Sequence, residues 1–167
     1  MNPPDNSPDD LSPGEMAAWE PFVVAATQII GALDSDMKRK FGIGHFDAAL
    51  LSAVFNSPRR QARMSDLAWA LRLAPSNITH RVSRLEKRGL LVRRTDPDDG
   101  RVVLARITPK GLRLLRDARP LALEGVRRHF LDHIDPKYLA AVAAIFATIA
   151  ASKDSTRRRA LHDDPDS

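Results

Sequence analysis

Polar and cationic side chains recur between Pro75 and Arg88 at the spacing of one helical face. With 100° per residue, Ile78, Val82 and Leu85 fall on one side of that helix. The opposite side and its edges carry short polar groups first and cations farther along: Ser76, Asn77, Thr79, His80, Arg84 and Lys87. Asn and hydroxyl groups can read base edges, whereas Arg and Lys can read guanine or hold phosphate. The pattern predicts a helix for the major groove of DNA, and the plain alternative is an amphipathic helix with a solvated face.

Two short strand candidates, residues 90–94 and 101–107, follow this helix. The segment between them, Asp96-Pro97-Asp98-Asp99-Gly100, is dense in turn formers and predicts a hairpin. Cations lie at the base of the hairpin and directly after its tip: Arg93, Arg94 and Arg101. An Arg at such a tip can enter an adjacent minor groove, where the negative potential is enhanced. We expect Asp99 to orient Arg101 through a charge-assisted hydrogen bond.

Positive charge is concentrated in the middle third of the chain. Residues 58–116 hold fifteen Lys and Arg against five Asp and Glu, within a 167-residue chain of formal net charge +5. Such a concentration is typical of a surface that binds a polyanion, although a solvated basic surface has the same composition.

Other kinds of chemistry find little support in the residue types present. The chain has no cysteine, which excludes disulfides, thiol nucleophiles and thiolate metal sites. No glycine-rich phosphate loop, nucleophile elbow or evident carboxylate pair is recognisable, so we expect neither an enzyme nor a cofactor. His129 and His133 stand four residues apart with Asp132 between them, and we expect a structural or surface role rather than a metal site.

The elements that must position these side chains are mostly helices. Apolar periodicity predicts helices from Gly14 to about Lys40, Phe46 to Asn56, Ser65 to Leu71 and Pro75 to Arg88. After the hairpin, a fifth helix capped by Thr108 should end before Asp135, and a sixth should reach Ser152. Two helices joined by a short turn and followed by a hairpin describe a winged helix-turn-helix. The predicted fold is mainly α with a small β-hairpin.

The domain organisation follows from the same pattern. The predicted regions are a disordered tail (1–13), an N-terminal dimerisation helix (14–44), a winged helix-turn-helix domain (45–110), C-terminal dimerisation helices (111–152) and a disordered tail (153–167). The tails are rich in Pro, Asp, Ser and Arg and have little to bury.

Residues 67–111 resemble the core of the multiple antibiotic resistance regulator (MarR) family, and the flanking helices extend the resemblance to about residues 17–152. Its most specific parts are Leu-Glu-Lys-Arg-Gly-Leu (85–90) and Asp-Pro-Asp-Asp-Gly-Arg (96–101). The resemblance implies a homodimeric transcriptional regulator, frequently a repressor released by small anionic or phenolic ligands. It also implies that Ser76, Asn77, Thr79, His80 and Arg84 face the major groove, with Arg101 at the tip of the wing.

The chain departs from the family pattern at three positions. Asp98 stands where the wing usually has an Arg. Arg72 lies in the turn that commonly contains Gly, and a left-handed backbone there would cost roughly 1–2 kcal/mol. Ala74 occupies a position where a capping Ser is common. We expect a slightly strained turn rather than a loss of DNA binding.

Apolar stripes on the first, fifth and sixth helices are too extensive for one small winged domain to bury. The simplest solution is a two-fold dimer that presents two recognition helices to a pseudo-palindromic duplex, and the alternative is an intrachain bundle. A ligand pocket is expected where the dimerisation helices meet the winged domain, with Met37, His45, Phe46 and Trp69 as candidate lining residues.

The remaining expectations concern location and the competing class of function. No apolar run approaches the ~20 residues that cross a bilayer, and the N-terminus does not resemble a secretion signal. We therefore expect a cytoplasmic protein without a membrane partner. The competing function is a winged-helix module for protein–protein assembly without ligand control.

Overall fold

The computed structural model describes residues 10–162, which are mostly helical. The helices are α1 (Pro13–Phe41), α2 (His45–Asn56), α3 (Met64–Ala70), α4 (Pro75–Lys87), α5 (Pro109–His129) and α6 (Leu139–His162). The strands are β1 (Gln61–Arg63), β2 (Leu91–Thr95) and β3 (Val103–Ile107), and short 3₁₀ turns cover Pro58–Arg60, Leu131–His133 and Pro136–Tyr138. The predicted fold class is confirmed.

The sheet has one strand more than the predicted hairpin. β3 lies in the centre, antiparallel to β2 on one side and to β1 on the other. In this register Ala62 faces Ala105, and Arg93 also faces Ala105 from the opposite strand. Three residues are too few to show an alternating pattern, so sequence periodicity could not reveal β1.

The winged segment, residues 45–110, has a core of apolar side chains from α2, α4 and the sheet. Leu50, Val54, Ile78 and Leu85 are completely buried there, and Leu91 is nearly so. The helix wheel therefore identified the correct inner face of α4. Because burial of one Leu or Ile side chain stabilises a fold by about 1.5–3 kcal/mol, this core fixes the orientation of α4.

The predicted helix boundaries at Gly89 and Thr108 are confirmed by local hydrogen bonds. Gly89 has φ +69°, a left-handed conformation that glycine adopts without steric cost, and its N–H donates to the Glu86 carbonyl. Thr108 caps α5, since its Oγ1 accepts from the Gly111 N–H at 3.0 Å.

The C-terminal helices differ from the predicted bounds in two ways. α5 ends at His129, because Phe130 leaves the helical backbone with φ −136° and a separate 3₁₀ turn follows. α6 runs past the predicted end at Ser152 to His162, so residues 153–162 are helical where the sequence predicts a disordered tail. Ala and Arg favour helix, and adding residues to a formed helix avoids the cost of nucleation.

The chain divides into two units, one ending at His129 and the other beginning at Phe130. The first contains α1 to α5 and the sheet. In the second, the Asp135 carboxylate accepts from the Lys137 N–H at 3.0 Å and caps the turn before α6. The predicted C-terminal region, 111–152, therefore contributes to both units.

α1 has close to the predicted bounds but is more apolar than the sequence pattern suggested. It contains an 18-residue stretch of mean hydropathy 1.4, so by length and composition it could cross a membrane, which corrects the expectation that no segment approaches this requirement. Its last third packs into the first unit, where Leu33 and Met37 are buried. The nearly buried carboxylate of Asp36 accepts from Arg128 at 2.6 Å and from Arg39 at 2.5 Å. This end of α1 is a core element of the protein.

Candidate nucleic-acid interface

The outer face of α4 is accessible along its length. Ser76, Asn77, Thr79, His80 and Lys87 are exposed, opposite the buried side chains that anchor the helix. The structure therefore places these five residues on the surface where the sequence predicts them, and their contacts with DNA stay a prediction.

The hydroxyl groups on this face are held by their own helix. Thr79 Oγ1 donates to the Pro75 carbonyl at 3.0 Å, and Ser83 Oγ donates to the Thr79 carbonyl at 2.9 Å. Because a hydroxyl has one donor and two acceptor positions, each oxygen keeps acceptor capacity. The exposed Thr79 oxygen can receive a hydrogen bond from a base amino group.

The turn before α4 has the strain that its sequence predicts. Arg72 adopts φ +55°, in the left-handed region where a side chain is disfavoured. Ala74 is the N-cap residue just before α4 and provides no side-chain cap. The Arg72 guanidinium lies 5.2 Å from the Trp69 ring and its Nη1 donates to the Trp69 carbonyl at 2.6 Å. A cation–π contact and a hydrogen bond thus offset part of the strain.

Arg84 is exposed on α4, but its guanidinium is engaged within the chain. The side chain is 57% exposed, and its Nη2 lies 2.5 Å and 2.7 Å from the two carboxylate oxygens of Asp47 on α2. Arg81 Nη1 donates to the same carboxylate at 3.0 Å. Asp47 itself is only 3% exposed. Two cations of α4 are therefore tied to one buried acid.

Arg93 has a structural environment that the sequence did not suggest. Its Nη2 donates to Ser83 Oγ at 2.6 Å and to the Thr79 carbonyl at 3.1 Å. Its Nη1 lies 3.3 Å from the Glu86 carboxylate, and its backbone N–H donates to Glu86 at 3.1 Å. These contacts join β2 to α4 and hold the side chain between the wing and the helix, and a contact of Arg93 with DNA stays a prediction.

The tip of the wing presents a highly exposed cation of the predicted set. The Arg101 side chain is 95% exposed, and its Nε lies 3.5 Å from an oxygen of Asp99. The Asp99 carboxylate also accepts from the Arg101 backbone N–H at 3.0 Å, which places the acid beside the cation as predicted. Arg94 is exposed on β2 as well. The exposed residues of the wing and of α4 together make up the candidate surface, and both elements belong to the first unit.

Asp47 and Arg81 are the residues that the sequence-based prediction missed. Asp47 stands three, four and seven residues before Leu50, Leu51 and Val54, at the spacing of the buried face of α2. An acidic residue at a core position is rarely buried unless it is paired. That irregularity could have indicated a partner, although only the packing of α2 against α4 identifies it.

A cavity with two of the four predicted lining residues is present, and its use by a ligand stays a prediction. A cavity of about 560 Å³ lies beside α2 and α5, and Met37 and His45 line it together with Ala48, Leu115 and Arg116 among others. Phe46 and Trp69 do not line this cavity, which corrects those two assignments.

Both aromatic side chains are turned toward arginines instead. The Phe46 ring packs under the Arg81 guanidinium at 5.2 Å, and Trp69 packs with Arg72.

Burial lowers the pKa of His45 below its usual value, and the nearby Asp34 carboxylate opposes that shift only in part. His45 is therefore a neutral polar group of the cavity wall at pH 7.

The two histidines near the end of α5 do not share a helical face. His129 belongs to the last turn of α5, where its Nε2 lies 3.0 Å from the Asp36 carboxylate. The α-helix ends there and His133 lies in a separate 3₁₀ turn, so the spacing of a continuous helix does not apply to this pair.

Comparison with known proteins agrees with this geometry. The model of the MarR family matches residues 50–103. The HTH-type transcriptional regulator MhqR of Bacillus subtilis is 33% identical over 81 residues, which cover 48% of this chain and 54% of MhqR. YkoM, an uncharacterized HTH-type regulator of the same organism, is 29% identical over 92 residues, which cover 55% of this chain and 58% of YkoM. The chain thus spans little more than half the length of the curated relatives it matches.

Solved structures extend the similarity to nearly the whole chain. Sco3205, a MarR family transcriptional regulator from Streptomyces coelicolor solved in complex with DNA, is 31% identical with a TM-score of 0.83. The match covers 89% of this chain and 92% of Sco3205. The chain belongs to the MarR family. AbsC, another MarR family regulator from the same organism, is 29% identical with a TM-score of 0.82, covering 87% of this chain and 98% of AbsC. These MarR relatives are transcriptional regulators and not enzymes.

Proposed function

We propose that this MarR family member is a homodimeric regulator of transcription that binds a specific, pseudo-palindromic sequence in double-stranded DNA. The observation that carries the proposal is the exposed outer face of α4, with Ser76, Asn77, Thr79 and His80, together with the exposed Arg101 at the tip of the wing. Short polar groups there match base edges and the flexible cation at the tip matches a phosphate or a minor groove. We also propose that the protein is cytoplasmic, because that is where its DNA target would lie.

Selection of duplexes from a random pool is the direct test of this proposal. We expect a recovered site with two-fold related half-sites about one helical turn apart. Affinity for that duplex should fall steeply with salt, because each neutralised phosphate contributes about −0.9 to the log–log slope. A scrambled duplex of the same length is the control. Equal, salt-insensitive binding of both duplexes would favour the competing function of a protein–protein assembly module.

Homodimerisation is supported by apolar side chains that the single chain leaves in solvent. On α1, Trp19 is 54% exposed, and on α6, Ile145 and Ile149 are 57% and 49% exposed. Patches of this kind mark interaction sites in proteins, and a second copy of the same chain satisfies two such helices at once. The apolar composition of α1 raises a lipid bilayer as the other candidate partner.

Sedimentation velocity and flotation with lipid vesicles distinguish these two partners. We expect a dimer at micromolar concentration and no flotation with vesicles of neutral or anionic lipid. A strictly monomeric species, or one that floats with the vesicles, would contradict the proposed dimer.

The cavity in the first unit supports control of DNA binding by a small aromatic acid or phenol. Its volume of about 560 Å³ lies within the range of small-molecule sites. Its walls are mostly apolar, from side chains such as Leu115 and Ala122, whereas Arg116 and Arg119 contribute positive charge. A flat apolar ring with one anionic group matches this combination. We further propose that the protein is a repressor released by such a ligand.

Ligand control can be tested without knowing the natural ligand. Benzoate-type acids and phenols are screened by thermal shift and then by competition against the selected duplex. Ala122→Trp, which reduces the cavity, serves as the matched control and should abolish the shift while DNA binding persists. No coupling between ligand and duplex would indicate a regulator that binds DNA constitutively.

A further inference from the structure

Asp47 lies in the interior of the winged segment with its charge directed at the recognition helix. It is one of two nearly buried charged residues among residues 10–152, and the other, Asp36, belongs to the contact between α1 and α5. A buried carboxylate is costly unless cations and hydrogen-bond donors surround it. Asp47 has both, and both of its cations come from α4.

Two arginines contact Asp47, and one of them is largely buried whereas the other is exposed. The Arg81 side chain is 20% exposed, is stacked on Phe46 and donates to the Asp47 carboxylate at 3.0 Å. The Asp47 Oδ2 atom also accepts from the Gly44 N–H at 3.3 Å. Arg81 and the backbone therefore already neutralise and fix the acid. Arg84 adds a second cation to an acid that does not need it for charge balance.

Arg84 is bound to Asp47 in a way that leaves much of its guanidinium available. Only Nη2 reaches the carboxylate, and the Nε and Nη1 atoms of Arg84 have no hydrogen-bond partner among residues 10–152. More than half of the side chain remains exposed. Nη2 carries two hydrogens, so the one that does not point at Asp47 can still combine with Nε–H or Nη1–H to form two parallel hydrogen bonds, the arrangement that recognises guanine.

We propose that Asp47 is a specificity-determining positioning residue that orients Arg84 for reading a guanine in the major groove. The proposal rests on the proposed function of sequence-specific DNA binding. A free Arg side chain has many rotamers and also binds phosphate wherever it finds one. Fixing its Nη2 before DNA arrives lowers the entropy lost on binding and favours one base contact over unspecific phosphate contacts.

The same acid extends its influence to Asn77. Arg81 Nε donates to Asn77 Oδ1 at 2.9 Å, and Arg81 is in turn held by Asp47. The side-chain amide of Asn77 is thereby oriented on the exposed face of α4. The buried Asp47 carboxylate thus orients Arg84 directly and Asn77 through Arg81.

The test compares Asp47→Asn with Asp66→Asn, using the duplex selected by the wild-type protein and a scrambled duplex. Asp66 is exposed on α3, so its substitution changes the net charge equally without touching Arg84. For Asp47→Asn we expect affinity for the selected duplex to fall on the order of 10- to 100-fold, the contribution of one bidentate base contact. Affinity for the scrambled duplex should stay equal or rise severalfold, because one negative charge is lost. For Asp66→Asn both affinities should rise together and their ratio should stay unchanged.

Arg84→Lys provides a second variant in case Asp47→Asn does not fold. It keeps the charge at an exposed position but lacks the planar fork, so it should lose the same preference for the selected duplex without a change in thermal unfolding. A purely structural role of Asp47 would lower both affinities by the same factor, and full selectivity of Arg84→Lys would mean that Arg84 reads no base; either result would overturn the inference. Failure of the wild-type protein to prefer any duplex would overturn the proposed function itself and this inference with it.

Discussion

The winged segment and the terminal helices differ in how far their apolar side chains are buried. In the winged segment, Ile78, Val82 and Leu85 of α4 are completely buried by neighbouring elements of the same chain. On α1 and α6, Trp19 and Ile145 remain more than half exposed. The first region completes its core within one chain, and the second carries apolar surface that one chain does not cover.

This difference indicates how the two regions divide the work of a regulator. A self-contained winged segment can hold α4 and the wing at a fixed angle, as the contacts of Arg93 show. Incompletely covered helices can be completed by a second copy, which would set the distance between two recognition helices. Substitutions in the two regions should therefore alter different properties, stability in one and assembly in the other.

Leu85→Ala should produce the largest loss of stability, because it creates a cavity in the core beneath α4. We expect the free energy of unfolding to fall by about 2–5 kcal/mol in urea titrations at fixed protein concentration. Val103→Ala, at a 42% exposed position on β3, is the control and should cost less than about 1 kcal/mol. Equal losses for both variants would contradict a core closed within one chain.

Ile145→Asp should weaken assembly and leave the winged segment folded. A two-fold interface receives the added charge twice, so we expect the dimer dissociation constant to rise at least about 30-fold in a sedimentation concentration series. Ala144→Asp lies on another side of α6, about 100° away, and is the matched control. An unchanged dimer with Ile145→Asp would show that this face of α6 is not an interface.

Arg84→Ala should change sequence preference more than affinity for DNA in general. We expect binding of the selected duplex to weaken by about 1–3 kcal/mol, with relaxed preference at one base pair of each half-site. Competition titrations with single-base variants of the selected duplex measure both effects. A uniform loss on every duplex would instead identify Arg84 as a phosphate contact.

Arg101→Ala should lower affinity for DNA in general rather than sequence preference, because the Arg101 side chain is 95% exposed at the tip of the wing. We expect a loss of roughly 1 kcal/mol on the selected and scrambled duplexes alike, and a log–log salt slope smaller by about 1. Arg127→Ala, exposed at the end of α5, is the charge-matched control and should leave the slope unchanged. A loss confined to the selected duplex would indicate base reading by the wing.

Substitutions at Arg72 should have the smallest effects and report on the turn before α4. Arg72→Ala keeps the left-handed backbone but removes the contacts with Trp69, whereas Arg72→Gly removes the strain as well. We therefore expect the Gly variant to be more stable than the Ala variant by about 1 kcal/mol in thermal unfolding. Equal stability would mean that the backbone rearranges in one of them.

Much of the fold was predictable because it is encoded locally. The apolar spacing of Ile78, Val82 and Leu85 identified α4 and its inner face, and Gly89 and Thr108 marked helix ends through their own backbone chemistry. The predictions failed where the local signal is weak. Strand β1 is too short to show a pattern, and the end of α6 depends on propagation of a helix into polar residues.

The candidate site was predictable only in part, for the same physical reason. Exposure of Ser76, Asn77 and His80 follows from the helix period alone. The environment of Arg84 does not, because its partner Asp47 lies 37 residues away on another helix. Similarly, Arg93 resembles any hairpin cation in sequence, and only the packing of β2 against α4 brings it to Ser83 and Glu86.

The sequence by itself determined the helices, the wing, the cationic middle segment and the membership in a family of regulators, since these depend on residue type and short-range spacing. Only the tertiary structure decided which cations are available and which are held, because ion pairs form between side chains that packing brings together from distant positions. The same packing determined that Met37 and His45 line the cavity while Phe46 and Trp69 stack on arginines.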